Sequence, residues 1–252
     1  MFGIVDSRGE IKATTAIKTQ GYGNNVQAYV DAAVDALQII IDQVGGIGKI
    51  KAMGIGAPNG NYYNGTIEFA PNLEWGRDGI VPLAKLFSDK LGIPVALTND
   101  ANAAAIGEMT YGVARGMKNF IVITLGTGVG SGIVVNGQLV YGCDGFAGEL
   151  GHVIVKENGR VCGCGRKGCL ETYCSATGVA RSAREFLANS DEPHCSASST
   201  LKRSLLTTYL WLLPRATRLL TRSTSSLAVC SASRALTSQL SLHPRLSSSS
   251  AV

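Results

Sequence analysis

The chain has 252 residues, enough for one large domain or two smaller ones with a sizeable core. Its formal net charge of +5 comes from its last quarter, because residues 1–193 carry 16 basic and all 18 acidic residues. Residues 1–193 therefore lack the excess of basic residues that is typical of nucleic-acid-binding proteins. The first residues do not have the pattern of a secretory signal, and the longest apolar tract of the tail, residues 205–213, is too short to cross a bilayer.

Strands and helices alternate in the first part of the sequence. Four segments have the apolar content and length of strands: residues 2–6, 11–17, 50–55 and 95–98. Three segments carry apolar residues at helical spacing: about residues 25–44, 80–91 and 101–111. Asn24 or Asn25 can cap the first helix, and Gly45-Gly46 ends it. The alternation predicts an α/β fold with a mainly parallel core sheet.

Two polar residues, Asn99 and Asp100, stand between a predicted strand and the third predicted helix. Open α/β sheets bind ligands at the carboxyl ends of their strands, which makes Asp100 a candidate functional residue. The alternative is that Asn99 or Asp100 only caps the helix, as these residue types often do. The local pattern leaves both interpretations open.

A glycine-rich loop, residues 125–132, follows a predicted strand at 120–125 and precedes another at 133–135. Asn136-Gly137 then indicates a tight hairpin to residues 138–141. Such a loop lets backbone N–H groups approach phosphate oxygens closely. It is not a dinucleotide fingerprint, since a strand follows, and it lacks the Lys-Ser/Thr pair of a P-loop. A plain tight turn is the alternative.

One histidine and three cysteines lie close together in the sequence: His152, Cys162, Cys164 and Cys169. Three thiolates and one imidazole complete a tetrahedral shell for zinc, and a closed site of this kind is normally structural. Interleaved glycines let the backbone aim several sulfurs at one point. The alternative is that these cysteines pack as small apolar residues. Cysteines in metal spacing without an export signal indicate a reducing, cytoplasmic location.

In combination these segments resemble the ROK family of bacterial sugar kinases, and its glucokinases in particular. Five motifs in chain order carry the likeness over about residues 2–190: Pro71-Asn72-Leu73-x-Trp75, Thr98-Asn99-Asp100-Ala101-Asn102, the loop at 125–132, Gly148-Glu149-Leu150-Gly151-His152 and Cys162-x-Cys164-Gly165-x-x-Gly168-Cys169-x-Glu171. The resemblance implies an actin-like (ribonuclease-H-like) α/β fold, with two lobes closing on a cleft and here incomplete at both ends.

The resemblance also implies a reaction, the transfer of the ATP γ-phosphoryl group to the 6-hydroxyl of a hexose, glucose first. Asp100 matches the catalytic base. The positions that match sugar contacts are Asn72, Asn99, Asp100, Glu149, His152 and Glu171. The positions that match ATP contacts are Gly126, Thr127, Gly128 and Gly130, with Mg²⁺ accompanying the nucleotide. The positions that match a structural zinc site are His152, Cys162, Cys164 and Cys169, and a homodimer is the implied assembly.

The chain departs from the family pattern at both ends. The family's first strand ends in Asp-x-Gly-Gly-Thr, whereas residues 1–6 here match the strand that follows it, so we expect a misplaced start. Residues 194–252 contain 15 serines and 13 leucines but no glycine or acidic residue. We interpret this tail as a disordered or non-native frameshift product; a basic tail that binds nucleic acid or membrane is the alternative. Asn59 also stands where a glycine commonly follows Gly56-Ala57-Pro58.

The predicted organisation is therefore an N-terminal α/β lobe at residues 1–113, the start of a second lobe with the zinc motif at 114–193, and the tail at 194–252. We expect weak or absent activity from the chain as given. A sugar-responsive transcriptional regulator of the same family is the rival interpretation, and it needs a helix-turn-helix domain before Phe2. A zinc-stabilised sugar-binding fragment without catalysis is a third.

Overall fold

The computed structural model describes residues 1–188 and 228–231. Up to residue 188, the described chain forms two compact units, one with residues 1–122 and 130–150 and the other with residues 123–129 and 151–188. The predicted tail at residues 194–252 lies outside the described residues apart from one short strand. The division into lobes at residue 113 stays a prediction.

The N-terminal segment forms the predicted hairpin and helix. Strands β1 (Phe2–Val5) and β2 (Ile11–Thr15) pair in antiparallel fashion. Helix α1 (Val26–Gln43) begins at the predicted cap, where the Asn25 side chain accepts a hydrogen bond from the Ala28 N–H. Gly45 and Gly46 follow the helix with φ of 96° and 91°, a backbone region that favours glycine. The capping pattern in the sequence is confirmed at both ends.

Two parallel strands form the sheet edge from which Asp100 extends. Strands β3 (Met53–Ala57) and β7 (Val95–Asn99) pair in parallel, and helix α2 (Leu83–Leu91) lies between them in the chain. Helix α3 (Asp100–Thr110) begins directly after β7. Strand β3 begins three residues later than predicted because Ile50 closes a short 3-10 helix, Ile47–Lys49.

A small antiparallel sheet that the sequence did not predict follows β3. It contains β4 (Gly60–Asn61), β5 (Thr66–Glu68) and β6 (Ile80–Val81). Ile80 belongs to β6 and not to the predicted helix, because Pro82 lacks a backbone N–H and stands at the N-cap of α2. Strands of two or three residues are too short to show the alternation by which a strand is recognised in a sequence.

The glycine-rich region lies within a four-stranded sheet. Strand β9 (Val129–Val135) lies between β10 (Gln138–Leu139) and β8 (Phe120–Leu125), and β11 (Ala228–Ser231) lies on the other side of β8. Strand β9 begins four residues before the predicted start, so part of the loop is strand. Asn136 and Gly137 have φ of 53° and 75° and make the predicted hairpin turn.

The expectation of a mainly parallel sheet is wrong in detail. Of the described strand pairs with a defined register, only β3–β7 is parallel. Turns of two to five residues join β1 to β2, β4 to β5 and β9 to β10, and a tight connection makes neighbouring strands antiparallel. Strand β6 returns to β5 after residues 69–79. Two further helices complete the described elements: α4 (Glu171–Cys174) and α5 (Ala176–Ala188).

The hydrophobic core of the first unit gathers α1 and α2 with the strands beside them. Phe87 is 1% exposed and meets Phe2 edge to face at 6.5 Å between ring centroids. Trp75 stacks on Tyr29 at 4.7 Å and donates its ring N–H to the Thr19 carbonyl. In the described part of the chain, no helix has both the length and the hydropathy that a membrane crossing requires.

Asn61 is a buried polar hub that ties the small sheet to the segment before Glu149. Its Oδ1 accepts from the Tyr63 N–H at 3.0 Å, and its Nδ2 donates to the Glu68 carboxylate and the Asp144 carbonyl, each at 3.0 Å. With 4% exposure, its amide is satisfied on both sides. A Cβ at Gly145 would lie 2.8 Å from Asn61 Oδ1, so the segment packs closely against this amide.

Asn61→Ala is expected to lower the free energy of unfolding by about 2 kcal/mol, since it removes a buried amide that accepts from the Tyr63 N–H and donates to Glu68 and Asp144. Chemical denaturation measures the loss. Asn64→Ala is the matched control, because Asn64 is exposed and its side chain makes no hydrogen bond in the described chain. Equal stability of the two variants would contradict a hub at Asn61.

Candidate functional site

The carboxyl end of β7 presents Asn99 and Asp100 in different ways. Asn99 is the N-cap of α3, and its side-chain oxygen accepts from the Ala101 N–H at 2.8 Å. One oxygen of the exposed Asp100 carboxylate accepts from the same N–H, also at 2.8 Å. The capping interpretation is therefore correct for Asn99. The hydrogen bond to the Ala101 N–H uses only one oxygen of the Asp100 carboxylate, and the second oxygen can still accept a hydrogen bond.

The chain at the end of β3 and the start of β4 runs close to this sheet end because Gly56 and Gly60 have no side chains. A Cβ on Gly60 would lie 2.5 Å from the Thr98 carbonyl oxygen, and one on Gly56 would lie 2.9 Å from the Ala103 Cβ. Asn59 takes the left-handed conformation with φ of 52°, and its amide donates to the Glu68 carbonyl at 2.9 Å. Asparagine thus fills a position where glycine is common, because it tolerates that conformation and adds a hydrogen bond.

Asn72 is exposed in the first unit, and buried residues follow it directly in the chain. Leu73 and Trp75, on either side of Glu74, are 7% and 6% exposed, and the Glu74 carboxylate accepts from the Gly21 N–H at 3.0 Å. These contacts fix the backbone that presents the Asn72 side chain to solvent.

Glu149, in the first unit, follows a tightly packed turn. Gly148 has φ of 94°, and the Ser131 hydroxyl donates to its carbonyl. A Cβ on Gly148 would lie 2.9 Å from the Ser131 carbonyl oxygen, so only glycine fits. The Glu149 side chain is exposed at the end of this fixed turn.

The glycine-rich segment 126–129 belongs to the second unit and is a tight turn. The Gly126 N–H donates to the Gly128 carbonyl at 3.0 Å. The Val129 N–H donates to the Glu171 carboxylate at 3.1 Å. Within the described residues the N–H groups of Thr127 and Gly128 have no hydrogen-bond partner. The segment is thus a tight turn that leaves two donors able to bind an anion. Its role as a phosphate-binding loop stays a prediction. Gly130, in the first unit, lies within β9.

The four residues of the predicted zinc motif converge in the second unit. One ligand atom from each of His152, Cys162, Cys164 and Cys169 lies within 4.8 Å of all the others. His152 Nδ1 lies 3.6 Å from Cys162 Sγ, and Cys164 Sγ lies 3.7 Å from Cys169 Sγ. Apolar packing of cysteines would not require a ring nitrogen to lie beside three sulfurs, so this arrangement favours a metal site.

These separations fit a zinc ion. Zn–S and Zn–N bonds of about 2.3 and 2.0 Å in a tetrahedron put two sulfurs about 3.8 Å apart and a sulfur and a nitrogen about 3.5 Å apart. The two observed edges, 3.7 and 3.6 Å, agree with those values. Because Nδ1 faces Cys162, it is the ring nitrogen placed to bind metal, and Nε2 is left for another partner.

The three thiols differ in their ease of ionisation. Burial raises the pKa of Cys162 to about 12 and raises that of Cys169 as well. The Arg166 backbone N–H and then its guanidinium lower the pKa of Cys164 to about 6. A metal ion in the site would displace the protons of the buried thiols, since metals bind the thiolate form.

A hairpin with close backbone contacts brings the cysteines together. The Cys162 N–H donates to the Arg166 carbonyl at 2.8 Å, and the Gly168 N–H donates to the Arg160 carbonyl at 2.8 Å. Gly168 has φ of 84°, and a Cβ there would overlap the Lys156 carbonyl. Glycine at this position therefore lets the backbone just before Cys169 pass close to the backbone at Lys156.

Arg160 attaches this hairpin to helices α4 and α5, a role that the sequence motifs did not predict. Its side chain is 10% exposed. The guanidinium donates to the Thr172 carbonyl at 2.7 Å, to Ser182 Oγ at 3.0 Å and to Glu185 at 2.5 Å. It also lies 4.7 Å over the Tyr173 ring, and it holds the pKa of the Glu185 carboxyl below its usual value. Its partners are distant in sequence, so no local pattern could have revealed this role.

A cavity of about 270 Å³ opens beside the zinc motif, wholly within the second unit. The residues that give it polar chemistry are Thr127, Cys162, Glu171, Thr177 and Arg181. Hydroxyl groups, a guanidinium and the nearby donors of the glycine-rich turn suit a ligand that carries phosphate.

Comparison with known proteins agrees with the sequence motifs. The family model described as "ROK family" matches residues 1–224. A glucokinase from Streptomyces coelicolor is 40% identical over 184 residues, which are 73% of this chain and 55% of that protein. The xylose repressor of Bacillus subtilis is 40% identical over 116 residues, 46% of this chain and 29% of that protein.

A solved structure gives the same result. The crystal structure of a ROK family glucokinase from Streptomyces griseus, in complex with glucose and AMPPNP, superposes with a TM-score of 0.60 at 38% identity. The match covers 73% of this chain and 56% of that one. The molecule thus has the actin-like α/β fold of the sugar kinases. The chain belongs to the ROK family.

The family and fold predictions are therefore confirmed. The chain spans about half the length of the curated relatives it matches, 55% of the Streptomyces coelicolor protein. The roles of individual site residues rest on their chemistry and on the family motifs.

Cys162→Ser is expected to abolish stoichiometric zinc binding, because three remaining ligands do not close the tetrahedral shell. Elemental analysis by mass spectrometry after gel filtration measures the metal content. Cys143→Ser is the matched control, since Cys143 is exposed and outside the cluster, and it should retain one zinc per chain. Full zinc content in Cys162→Ser would remove Cys162 from the site.

Arg160→Ala is expected to lower the free energy of unfolding by about 3 kcal/mol, because its carbonyl acceptors lose a charged donor. Arg160→Lys should recover less than half of that loss, since an ammonium group does not match the fork of acceptors. Arg184→Ala, on the exposed side of α5, is the control. Denaturation curves that coincide for the Arg160 and Arg184 variants would contradict the fastening role.

Proposed function

We propose that this protein transfers the γ-phosphoryl group of ATP to the 6-hydroxyl of a hexose, with glucose as the first candidate. The observation that carries the proposal is the exposed Asp100 carboxylate at the carboxyl end of β7, fixed by the Ala101 N–H. Membership of the ROK family and 40% identity to a glucokinase support it. Sheet ends of this kind are where α/β folds bind ligands.

Asp100 would act as the general base. Its carboxylate accepts the proton of the 6-hydroxyl while the hydroxyl oxygen forms a bond to the γ-phosphorus. The bond between that phosphorus and the β,γ-bridging oxygen breaks, and ADP leaves with the electron pair. The hydrogen bond from the Ala101 N–H fixes one oxygen of the Asp100 carboxylate. The other oxygen would therefore already be oriented when the hydroxyl binds.

Six residues would bind the sugar: Asn72, Asn99, Asp100, Glu149, His152 and Glu171. Carboxylates and amides suit this task because each hydroxyl of a hexose both donates and accepts hydrogen bonds. With Nδ1 facing the sulfurs, Nε2 of His152 is the ring nitrogen that could reach a hydroxyl. Asn72 and Asp100 are exposed, so their side chains are accessible to a ligand.

Four residues would contact ATP: Gly126, Thr127, Gly128 and Gly130. The N–H groups of Thr127 and Gly128 are suited to phosphate oxygens, since neither has a partner within the described residues. ATP would enter as its Mg²⁺ complex, and the ion would neutralise charge on the phosphates.

Zinc would be held by His152, Cys162, Cys164 and Cys169 and would supply rigidity rather than chemistry. Four protein ligands leave no open position for a water or a substrate. Held in this way, the His152 ring keeps one orientation and one tautomer, which favours a sugar contact through Nε2.

A regulator that binds a sugar without phosphorylating it is the second candidate. The similarity to a xylose repressor, 40% identity over 116 residues, favours it. A non-catalytic sugar-binding fragment would give the same binding result. Formation of ADP in the presence of hexose distinguishes the kinase from both alternatives.

In a version of the chain with both ends completed to the family pattern, Asp100→Asn is expected to lower kcat by about 10³-fold, within the range for loss of a general base, while hexose affinity changes by less than about threefold. A coupled assay of ADP formation across several hexoses, together with calorimetry of sugar binding, measures both quantities. Asp78→Asn, an exposed carboxylate elsewhere in the first unit, should have no effect on either. Unchanged kcat in Asp100→Asn would remove Asp100 from the base role.

A further inference from the structure

Glu171 contacts both the zinc motif and the glycine-rich turn. It follows Cys169 by two residues and is the first residue of α4. One carboxylate oxygen, Oε1, lies 3.7 Å from Cys162 Sγ. The other, Oε2, accepts the hydrogen bond from the Val129 N–H at 3.1 Å. One side chain thus joins the residue that begins the cysteine hairpin to the residue that ends the glycine-rich turn.

The turn is shaped around this carboxylate. A Cβ on Gly128 would overlap Glu171 Oε2, so a larger residue at position 128 would push this carboxylate aside. The Val129 N–H is already satisfied by Glu171, whereas the Thr127 and Gly128 N–H groups have no partner within the described chain. Glu171 therefore fixes the turn without using the two donors that remain for a ligand.

The same short stretch of chain holds the turn at a second point. The Ala176 N–H, at the start of α5, donates to the Gly126 carbonyl at 2.9 Å, and the Thr177 hydroxyl donates to the Thr127 carbonyl at 3.5 Å. Both ends of the turn are therefore attached to residues 171–177, which directly follow the last cysteine. Any displacement of α4 would move these attachments together.

We propose that Glu171 is a positioning residue that couples the metal centre to the nucleotide turn. Ordering of the cysteine hairpin fixes α4, α4 fixes the Glu171 carboxylate, and the carboxylate fixes the Val129 N–H and the space at Gly128. The metal centre then serves the ATP side as well as the sugar side. The nucleotide part of this inference rests on the proposed kinase function; the coupling itself does not.

Hydrogen–deuterium exchange on the whole protein tests the coupling without any substrate. Glu171→Ala should speed exchange of the peptide that spans residues 126–131 while zinc content stays at one per chain. Glu171→Gln should keep slow exchange, because a carboxamide oxygen also accepts from the Val129 N–H. Glu157→Ala is the matched control, since Glu157 is an exposed carboxylate in the same hairpin region. Unchanged exchange in Glu171→Ala, or loss of its zinc, would overturn the proposal.

Calorimetry with a non-hydrolysable ATP analogue tests the consequence. Glu171→Ala should weaken binding of the analogue about tenfold, the scale of one lost positioning hydrogen bond, and Glu171→Gln should stay within about threefold. If Glu171 served only as a sugar contact, both variants would bind glucose more weakly and would bind the analogue as well as the unaltered protein does. That result would overturn the coupling to the nucleotide. If the unaltered protein bound no analogue while the exchange results held, the kinase proposal would fail and the coupling would stand.

Discussion

The convergence of one imidazole nitrogen and three sulfurs on a single point is the constraint on which the second unit depends. Two of the separations, 3.6 and 3.7 Å, match edges of a tetrahedral zinc shell, all four ligand atoms lie within 4.8 Å of one another, and two of the thiols are buried. The segment that brings these atoms together buries few of its apolar side chains, since Val153, Ile154, Val155 and Val161 are exposed. Its order comes from backbone bonds, from Arg160 and from the cation that the sulfurs would hold.

The first unit achieves order in a different way. Helices α1 and α2 bury a continuous apolar core against β3 and β7, and the parallel pairing of these strands fixes where Asp100 emerges. Close backbone contacts at Gly60 and the Asn61 hub then hold the neighbouring loops. Each unit thus presents polar groups of defined geometry on a rigid support, which is the requirement for a reaction that depends on positioning and charge.

The sequence predicted the features that arise from local patterns. Helix α1 with its Asn25 cap, the Asn136-Gly137 hairpin and the converging residues of the predicted zinc motif each have a short, recognisable signature. It missed the small sheet around Asn61, whose strands are too short for alternation to show. It also missed Arg160 and the contact from Glu171 to Val129, because those partners lie far apart in the chain. Long-range hydrogen bonds leave no periodic trace in a sequence.

X-ray absorption spectroscopy at the zinc edge tests the central claim most directly, since it reports the ligand atoms around the metal in the folded protein. Three sulfur neighbours at about 2.3 Å and one nitrogen at about 2.0 Å, with one zinc per chain, are the expected result. A shell of only nitrogen and oxygen atoms, or protein that folds and binds hexose without any metal, would contradict the organisation described for the second unit.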